Sequence, residues 1–200
     1  MTAAPPRAPR CSVELIRWGK DRGINVTAEV CPHHLSLTED SVDGYNTNAK
    51  MNPPLRTAKD VEALQQAVKD GTIDVIATDH APHHYDEKER EFANAPNGII
   101  GLETALAVNL TWLVHRGIID VPMLVERMAC APARLFKLPG GALRRGGVAD
   151  VTVFDPDVAW TVDATKFRSK GRNTPYAGME LRGRVDCTLV GGRMVYRRDA

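Results

Sequence analysis

A short and almost continuous apolar run at residues 72–78 (TIDVIAT) constrains the fold of this chain more than any other feature. A strand of this kind is buried on both faces, as in parallel sheets that helices cover on each side. Residues 59–69 before the run carry apolar side chains on one helical face and end at Asp70-Gly71, and residues 101–115 after it predict another helix. The run therefore predicts an α/β unit.

A second helix and strand lie upstream of that unit. Residues 12–22 (SVELIRWGKDR) space their apolar side chains as a helix does and are followed by Gly23, which favours a helix end. Residues 25–30 (NVTAEV) are rich in β-branched side chains and predict a strand that runs into a turn at residues 31–35. Helix followed by strand makes the first α/β unit.

The composition of the chain changes after the second α/β unit. Shorter helical stretches are predicted at residues 122–128 and 131–138, before a glycine-rich connection at residues 139–147 (PGGALRRGG). Strands are then predicted at residues 148–154 and 159–162, followed by a hairpin at residues 185–196. Gly191-Gly192 would form the hairpin turn. We predict an α/β part at residues 12–138 and a β-rich segment at residues 139–200.

Charge and cysteine content exclude several classes of protein. A formal net charge of +1 gives no electrostatic footprint for nucleic acid, and no apolar run reaches the length of a membrane span. The four cysteines are scattered without CxxC spacing, so we expect free thiols in a cytoplasmic protein. Residues 1–11 have no apolar segment behind their arginines, so no secretory signal is expected there and we predict a disordered tail.

The most informative motif is TDHAPH at residues 78–83, which follows the predicted apolar strand. In α/β barrels the catalytic groups project from the C-terminal ends of the strands. Asp79, His80 and His83 would stand there, and a carboxylate near histidines can bind a divalent metal and transfer protons. The alternative is structural: Asp79 caps a turn, His80 fills the core and His83 lies in solvent.

Two further segments carry polar groups that could bind a ligand. In MNPPLR, Pro53 and Pro54 are expected to fix the backbone in an extended path and so to stiffen the loop that holds Asn52 and Arg56. Asn52 could recognise an amide or imide edge and Arg56 a carboxylate, although a rigid surface loop would show the same pattern. In PHHL, at residues 32–35, we expect at most one of the adjacent histidines to face the site.

Four segments, in this order, resemble the C-terminal half of bacterial dihydroorotases, which are related to hydantoinases and allantoinases. The segments are EVCPHHLSLTED, KMNPPLR, GTIDVIATDHAPH with DEKE, and NAPNGIIGLETAL. The resemblance runs from about Ser12 to the end and includes NTPYAGMELRGRV. It implies a (β/α)8 barrel with a small β-sandwich. Residues 12–138 would then be a partial barrel with its last two strands, and residues 139–200 part of the sandwich.

The resemblance also implies a reaction and roles for individual residues. Family members interconvert dihydroorotate and N-carbamoyl-aspartate in pyrimidine synthesis, and one or two zinc ions activate the water. Asp79 would be a metal ligand that also moves the proton from the attacking hydroxide to the leaving nitrogen. Asn52 and His83 would contact substrate, and Asn97-Gly98 would close on it after the flexible DEKE loop. From its charge, the run at residues 86–91 is predicted as a solvated, mobile loop rather than a site, although in the family this loop borders the substrate. Allantoinase and hydantoinase are alternatives, although they usually carry other residues where His83 stands.

The sequence departs from the family at its other metal ligands. A His-x-His pair, a bridging carboxylate and two further histidines are absent, and APPRAPRCS precedes the helix where the last of these histidines is expected. Since catalytic zinc needs about three protein ligands, we expect this chain alone to hold no Zn²⁺ and to be inactive. His33 and His34 could substitute as ligands, but the family carries PHHL alongside a full ligand set.

Three functions are compatible with these departures. The first is an enzyme whose N-terminal half is missing from this sequence, through a frame shift or an internal start codon. The second is a non-catalytic dihydroorotase-like scaffold, for example for aspartate carbamoyltransferase, and the third is a gene remnant. Intact Asp79, Asn52 and His83 favour the enzyme. The partners expected are a small-molecule substrate and either further copies of the chain or aspartate carbamoyltransferase, with neither nucleic acid nor membrane.

Overall fold

The computed structural model describes residues 9–198, in which helices and short parallel strands are followed by an antiparallel sheet. The helices are α1 (Pro9–Asp21), α2 (Pro32–Ser36), α3 (Ala58–Asp70), α4 (Tyr85–Lys88), α5 (Ala105–Asn109), α6 (Val121–Val125) and α7 (Ala131–Phe136). The strands are β1 (Glu29–Val30), β2 (Val75–Ile76), β3 (Val151–Thr161), β4 (Glu180–Val190) and β5 (Arg193–Arg197). Turns of 3-10 helix lie at Glu39–Tyr45, Thr47–Ala49 and Ala164–Lys166, and π-helical turns at Leu110–Val114 and Glu126–Cys130.

The first two strands pair in parallel, which confirms the predicted α/β class. Val30 of β1 lies opposite Ile76 of β2. Both strands are shorter than the predicted residues 25–30 and 72–78. The reason is that backbone groups at their N-terminal ends bond outside a regular ladder: the amide of Ala28 donates to the Asp74 carboxylate at 2.9 Å.

The helices that cover this pair begin and end close to the predicted positions. Thr57 and Asp60 form a reciprocal capping box at the start of α3, and Gly71 ends that helix in the left-handed region with φ 85°. Helix α1 begins at Pro9, so residues 9–11, which we predicted as part of the disordered tail, are helical. The rest of the predicted tail, residues 1–8, lies outside the described residues.

The helix predicted at residues 101–115 is only partly α-helical. It starts at Ala105 and becomes π-helical from Leu110 to Val114. Two side chains near the change bond to carbonyls four residues back, since Asn109 Nδ2 donates to Ala105 O and Thr111 Oγ1 to Ala107 O. Such bonds compete with the regular helical pattern and accompany local rewinding. The stretches predicted at residues 122–128 and 131–138 likewise form one helical run, α6 to α7.

The C-terminal strands form one antiparallel sheet in the order β3-β4-β5. The strands predicted separately at residues 148–154 and 159–162 are a single strand, β3, whose register shifts between Asp155 and Ala159. The hairpin turn at Gly191-Gly192 is confirmed. Because residues 139–198 show this one sheet, the second layer of a sandwich stays a prediction.

Two clusters of buried apolar side chains form the core. The helix cluster lies among α1, α3, the parallel strands and the helices after them; it comprises Val13, Val30, Leu35, Leu64, Ala67, Val68, Ile73, Ile76, Leu110, Leu113, Ile119 and Leu124. The seam cluster comprises Leu37, Ala49, Met51, Leu55, Ile99, Ile100, Ala107, Val108, Val162, Phe167, Tyr176 and Leu181. The seam cluster therefore contains residues from both sides of the boundary predicted at residue 138.

The structure also describes the helix lengths and the cysteines on which two sequence predictions depend. No helix within residues 9–198 has the length and apolarity needed to cross a bilayer. All four cysteines are free, as predicted. Cys31 is the one that follows a parallel strand, where it is partly buried.

Candidate functional site

Two segments that carry titratable side chains lie at one edge of the parallel pair. Because β1 and β2 run in the same direction, the residues that follow them emerge on the same side. Cys31, His33 and His34 follow β1, and Asp79 and His83 follow β2. We call this side of the molecule the strand-end edge. The sequence predicted the second of these groups as the site.

Asp79 presents an exposed side chain at the strand-end edge. Its φ of 48° places it in the left-handed region, which is uncommon for a residue other than glycine but tolerated by aspartate. Its negative charge contributes to the raised pKa of the Cys31 thiol, after the larger effect of burial, so it lies near that group. An exposed carboxylate in this position can accept a proton or bind a cation.

The two histidines of TDHAPH differ in what they contact. The Nδ1 atom of His80 accepts a hydrogen bond from the Gly101 amide at 3.0 Å, so His80 fixes the turn before α5. The Nε2 atom of His83 lies 2.9 Å from the carbonyl oxygen of Asn97, and its Nδ1 atom lies 3.5 Å from Glu87 Oε2. Of the two, His83 is the one held beside the predicted substrate-closing residues.

Gly98 completes this group because only a glycine fits its position. Its φ is +113°, and a Cβ there would lie 2.6 Å from Ala81 Cβ. The same Cβ would lie 3.5 Å from His83 Nε2, and the Gly98 amide donates to Lys50 O at 2.9 Å. The structure thus brings three of the predicted substrate-binding residues together, His83, Asn97 and Gly98.

Asn52 is connected to this group only through neighbouring residues. Its side chain is exposed, and no hydrogen bond within residues 9–198 joins it to His83 or Asn97. The chain bends at Asn52, where the bond to Pro53 is cis, although we predicted an extended path. Pro53 O lies 2.9 Å from His34 Nε2, which ties this segment to PHHL. The substrate-binding role of Asn52 stays a prediction.

Asn173 is a site residue that the sequence reasoning missed. It is only 4% exposed, and its Nδ2 group donates to Ala81 O at 2.9 Å and to Gly98 O at 3.1 Å. Its Oδ1 atom accepts from the His83 amide at 3.1 Å. One amide side chain therefore positions both His83 and Gly98. The only sequence signal was its place in the NTPY segment.

Two lysines hold the loop that precedes Gly98. Lys88 is 5% exposed and donates to Pro96 O and Gly98 O, and burial, followed by the charge of Lys50, lowers its pKa to about 8. Lys50 donates to three carbonyl oxygens in residues 92–95. We predicted the charged run at residues 86–91 as a solvated, mobile loop; instead, part of it forms α4, and Lys88 is buried because backbone carbonyls surround its ammonium group.

Cys31, His33 and His34 form a compact group of potential metal ligands, in which one ligand atom from each residue lies within 4.8 Å of the others. Burial, followed by the charges of Asp79 and Glu29, raises the pKa of the Cys31 thiol to about 12. Burial, followed by the charge of His34, lowers the pKa of His33 to about 3. Burial also lowers the pKa of His34. In the metal-free chain this group is therefore neutral at pH 7.

Two cavities open beside these residues. One, of about 690 Å³, is lined by Lys50, Met51, Asn97 and the aromatic rings of Tyr45 and Phe92. The other, of about 550 Å³, lies beside His83. Its walls carry one carboxylate, Glu89, and a larger set of basic side chains, namely Lys88, Arg90, Lys170 and Arg172. The second cavity offers a cationic environment, which favours an anionic ligand.

Known proteins resemble the chain over nearly its whole length. Residues 4–195 match the sequence pattern of the amidohydrolase family. The chain is 56% identical over 187 residues to the dihydroorotase of Geobacter metallireducens and 55% identical to that of Pelobacter propionicus. Each match covers 94% of this chain and 44% of the relative.

Among solved structures, an L-hydantoinase (dihydropyrimidinase) from Arthrobacter aurescens matches with a TM-score of 0.90 at 34% identity, over 96% of this chain and 44% of that one. A dihydropyrimidinase from Brevibacillus agri matches with a TM-score of 0.87 at 27% identity, over 93% and 42%. The chain thus spans less than half the length of these relatives.

Proposed function

Because the chain belongs to the amidohydrolase family, we propose that it supplies part of the active site of a dihydroorotase. The reaction would be hydrolysis of the ring amide of dihydroorotate to N-carbamoyl-aspartate, and its reversal, in pyrimidine biosynthesis. In this proposal β1 and β2 are two strands of a (β/α)8 barrel, whose strand-end edge carries the active site. The high identity to dihydroorotases over 94% of the chain supports the proposal.

The observation that carries this proposal is the arrangement around Asp79. An exposed carboxylate stands at the strand-end edge. His83 contacts the carbonyl oxygen of Asn97, and Asn173 holds His83 together with Gly98. The basic cavity beside His83 favours dihydroorotate, whose carboxylate is anionic, over hydantoins, whose rings lack that group. We therefore place dihydroorotate before hydantoin and allantoin as the substrate.

In the proposed mechanism, Asp79 transfers a proton. As the water oxygen bonds to the ring carbonyl carbon, the Asp79 carboxylate accepts the proton that the water loses. When the carbon–nitrogen bond breaks, the same proton passes to the leaving nitrogen, which restores the carboxylate. His83 and the Asn97-Gly98 segment orient the substrate, and Asn52 contacts its amide edge. Each of these roles rests on the family resemblance together with the geometry described above.

Zinc in this family would activate the attacking water. Asp79 fits as one carboxylate ligand, but residues 9–198 bring no second family ligand to it, and a catalytic zinc needs about three. The residues present therefore do not by themselves fit the family's zinc, and no step is assigned to it. We propose that the 200-residue polypeptide alone does not open the dihydroorotate ring.

A chimeric enzyme tests this function. Residues 12–198 would replace the matching part of the Geobacter metallireducens dihydroorotase, to which they are similar. We expect the chimera to open dihydroorotate and to prefer it to hydantoin and allantoin. Asp79→Asn should lower kcat by about 10² to 10⁴, the usual effect of losing a general base, because an amide cannot accept the proton.

Controls in the same chimera separate catalysis from binding. His83→Ala and Asn52→Ala should act mainly on KM, since both residues are proposed to bind substrate. Glu62→Gln, at an exposed carboxylate on α3 that lines neither cavity, should leave kcat unchanged. Near-normal turnover of Asp79→Asn would contradict the assigned role. A preference for hydantoin or allantoin would move the substrate assignment to those alternatives.

A folded chimera without any activity would instead favour the non-catalytic alternatives. We propose for that case a scaffold role with aspartate carbamoyltransferase or with further copies of this chain. Sedimentation of the chain alone and mixed with aspartate carbamoyltransferase distinguishes the two partners, because each complex has its own mass. If neither complex formed, the remaining hypothesis would be that the chain is a gene remnant.

A further inference from the structure

We propose that Cys31, His33 and His34 form a zinc-binding site of their own, separate from Asp79. The family resemblance assigns none of these side chains to the metal, and from the sequence alone we expected the chain to hold no zinc. The site would hold one zinc ion through one thiolate sulfur and two imidazole nitrogens. It is independent of the proposed ring hydrolysis, in which these three side chains have no part.

The separation of the three ligand atoms is close to what zinc requires. Zinc–sulfur and zinc–nitrogen bonds of about 2.3 and 2.0–2.1 Å in a tetrahedron place neighbouring ligand atoms about 3.3–3.6 Å apart. The ligand atoms of Cys31, His33 and His34 lie within 4.8 Å of one another. Each pair therefore has to close by at most about 1.5 Å, which rotation of the side chains can supply.

The imidazole of His33 is largely buried, and its ring nitrogens make no hydrogen bond to the described protein groups. It is 3% exposed, and among residues 9–198 its one recorded contact is with the His34 ring, at 4.3 Å between centroids. No side chain or carbonyl within residues 9–198 holds a ring nitrogen of His33 by a hydrogen bond, so these nitrogens are free to bind a metal.

The imidazole of His34 has one ring nitrogen occupied by a backbone carbonyl and the other left for a metal. Its Nε2 atom lies 2.9 Å from the carbonyl oxygen of Pro53. When Nε2–H donates to that carbonyl, the proton is fixed on Nε2 and Nδ1 is left as the free acceptor. Metal-binding histidines in proteins commonly use the second ring nitrogen in this way, which fixes the tautomer and the ring position.

The chemistry of the group favours zinc over magnesium or calcium. A thiolate and two imidazoles suit borderline and soft cations, whereas magnesium and calcium prefer oxygen ligands. The carboxylates of Asp79 and Glu29 both act electrostatically on Cys31. Their negative charge opposes a free thiolate but favours a dication at the same place. Three protein ligands leave a fourth position for water.

Metal titration of the full 200-residue chain tests the site. After dialysis against a chelator, calorimetry with Zn²⁺ should give one ion per chain. Co²⁺ should give an absorption band for charge transfer from thiolate to cobalt. Cys31→Ser should abolish that band, and Cys31→Ser, His33→Ala and His34→Ala should each weaken zinc binding at least about tenfold, as loss of a direct ligand requires.

Matched variants distinguish this site from other zinc binding. Cys130→Ser changes another partly buried cysteine, and His84→Ala an exposed histidine; both should keep the wild-type affinity. Asp79→Asn should also keep one zinc per chain, although the proposed hydrolysis depends on it. Zinc binding that is lost in Asp79→Asn but retained in Cys31→Ser would overturn the proposal, as would the absence of stoichiometric zinc.

A measurement on the wild-type chain avoids the risk that a variant fails to fold. Iodoacetamide labelling followed by mass spectrometry reports each cysteine separately, and a metal-bound thiolate reacts more slowly than a free one. Zinc should slow the labelling of Cys31 and leave Cys187, which is also partly buried, unchanged. Equal labelling of Cys31 with and without zinc would contradict the proposed site.

Discussion

His33 is the residue at which burial has the clearest consequence for the metal-free chain. Its pKa falls from 6.5 to about 3, through burial and then the charge of His34. Between these two values the unfolded chain binds one more proton than the folded chain, so stability is present at pH 7 and is lost as the pH falls. This one group should make the chain about 2 kcal/mol less stable at pH 5 than at pH 7.

Urea unfolding at both pH values, with a chelator present, measures this loss. His33→Gln removes the titrating group, so its free energy of unfolding should fall by about 2 kcal/mol less than that of the wild type over the same range. His84→Gln, at an exposed position, should show the full wild-type loss. If His33→Gln and the wild type lost equal stability, the depressed pKa of His33 would be wrong.

At the scale of elements, the loop that ends at Gly98 is held by side chains rather than by strand pairing. Lys50 Nζ donates to Phe92 O at 2.6 Å, Ala93 O at 3.1 Å and Ala95 O at 2.6 Å. Hydrogen bonds to a charged group contribute about 1.5–3 kcal/mol, so Lys50→Met should speed amide exchange in residues 91–98 by at least about tenfold. Hydrogen–deuterium exchange measures this rate. Lys59→Met, on the exposed side of α3, should leave it unchanged.

Helices and strands whose ends are set by neighbouring residues were predictable from the sequence, whereas contacts between distant segments were not. Helix α3 matches its prediction because its capping box and Gly71 lie at its own ends. The parallel pairing followed from the burial of β2 and its flanking helices. Asn173 and Lys88 gave no such signal, since their partners are backbone carbonyls that only the tertiary fold brings near. The same holds for the Cys31 group, because spacing cannot show that three side chains turn towards one point.

At the scale of the whole molecule, the helical run that starts at α5 packs on both parts of the chain. Leu110 is fully buried in the helix cluster, yet a Cβ added to Gly183 of β4 would lie 2.2 Å from its Cδ1 atom. The Arg182 amide of β4 also donates to Thr111 Oγ1 at 2.8 Å. The sheet and the α/β part thus share an interface, and we expect them to unfold in one cooperative transition.

Gly183→Ala tests this cooperativity, because the new methyl group meets Leu110 and the φ of +95° disfavours any side chain. Two reporter chains would each keep one tryptophan, Trp18 on α1 or Trp160 on β3, with the others changed to phenylalanine. The urea midpoints of the two reporters should coincide. Gly183→Ala should lower the free energy of unfolding by about 1–3 kcal/mol, the usual cost of overpacking, so that both midpoints fall together. Gly19→Ala, where the new Cβ meets Val26 at an ordinary 3.5 Å, should leave both midpoints unchanged or raised. If the Trp160 signal were lost at lower urea than the Trp18 signal, residues 139–198 would unfold as an independent domain and the expected cooperativity would be wrong.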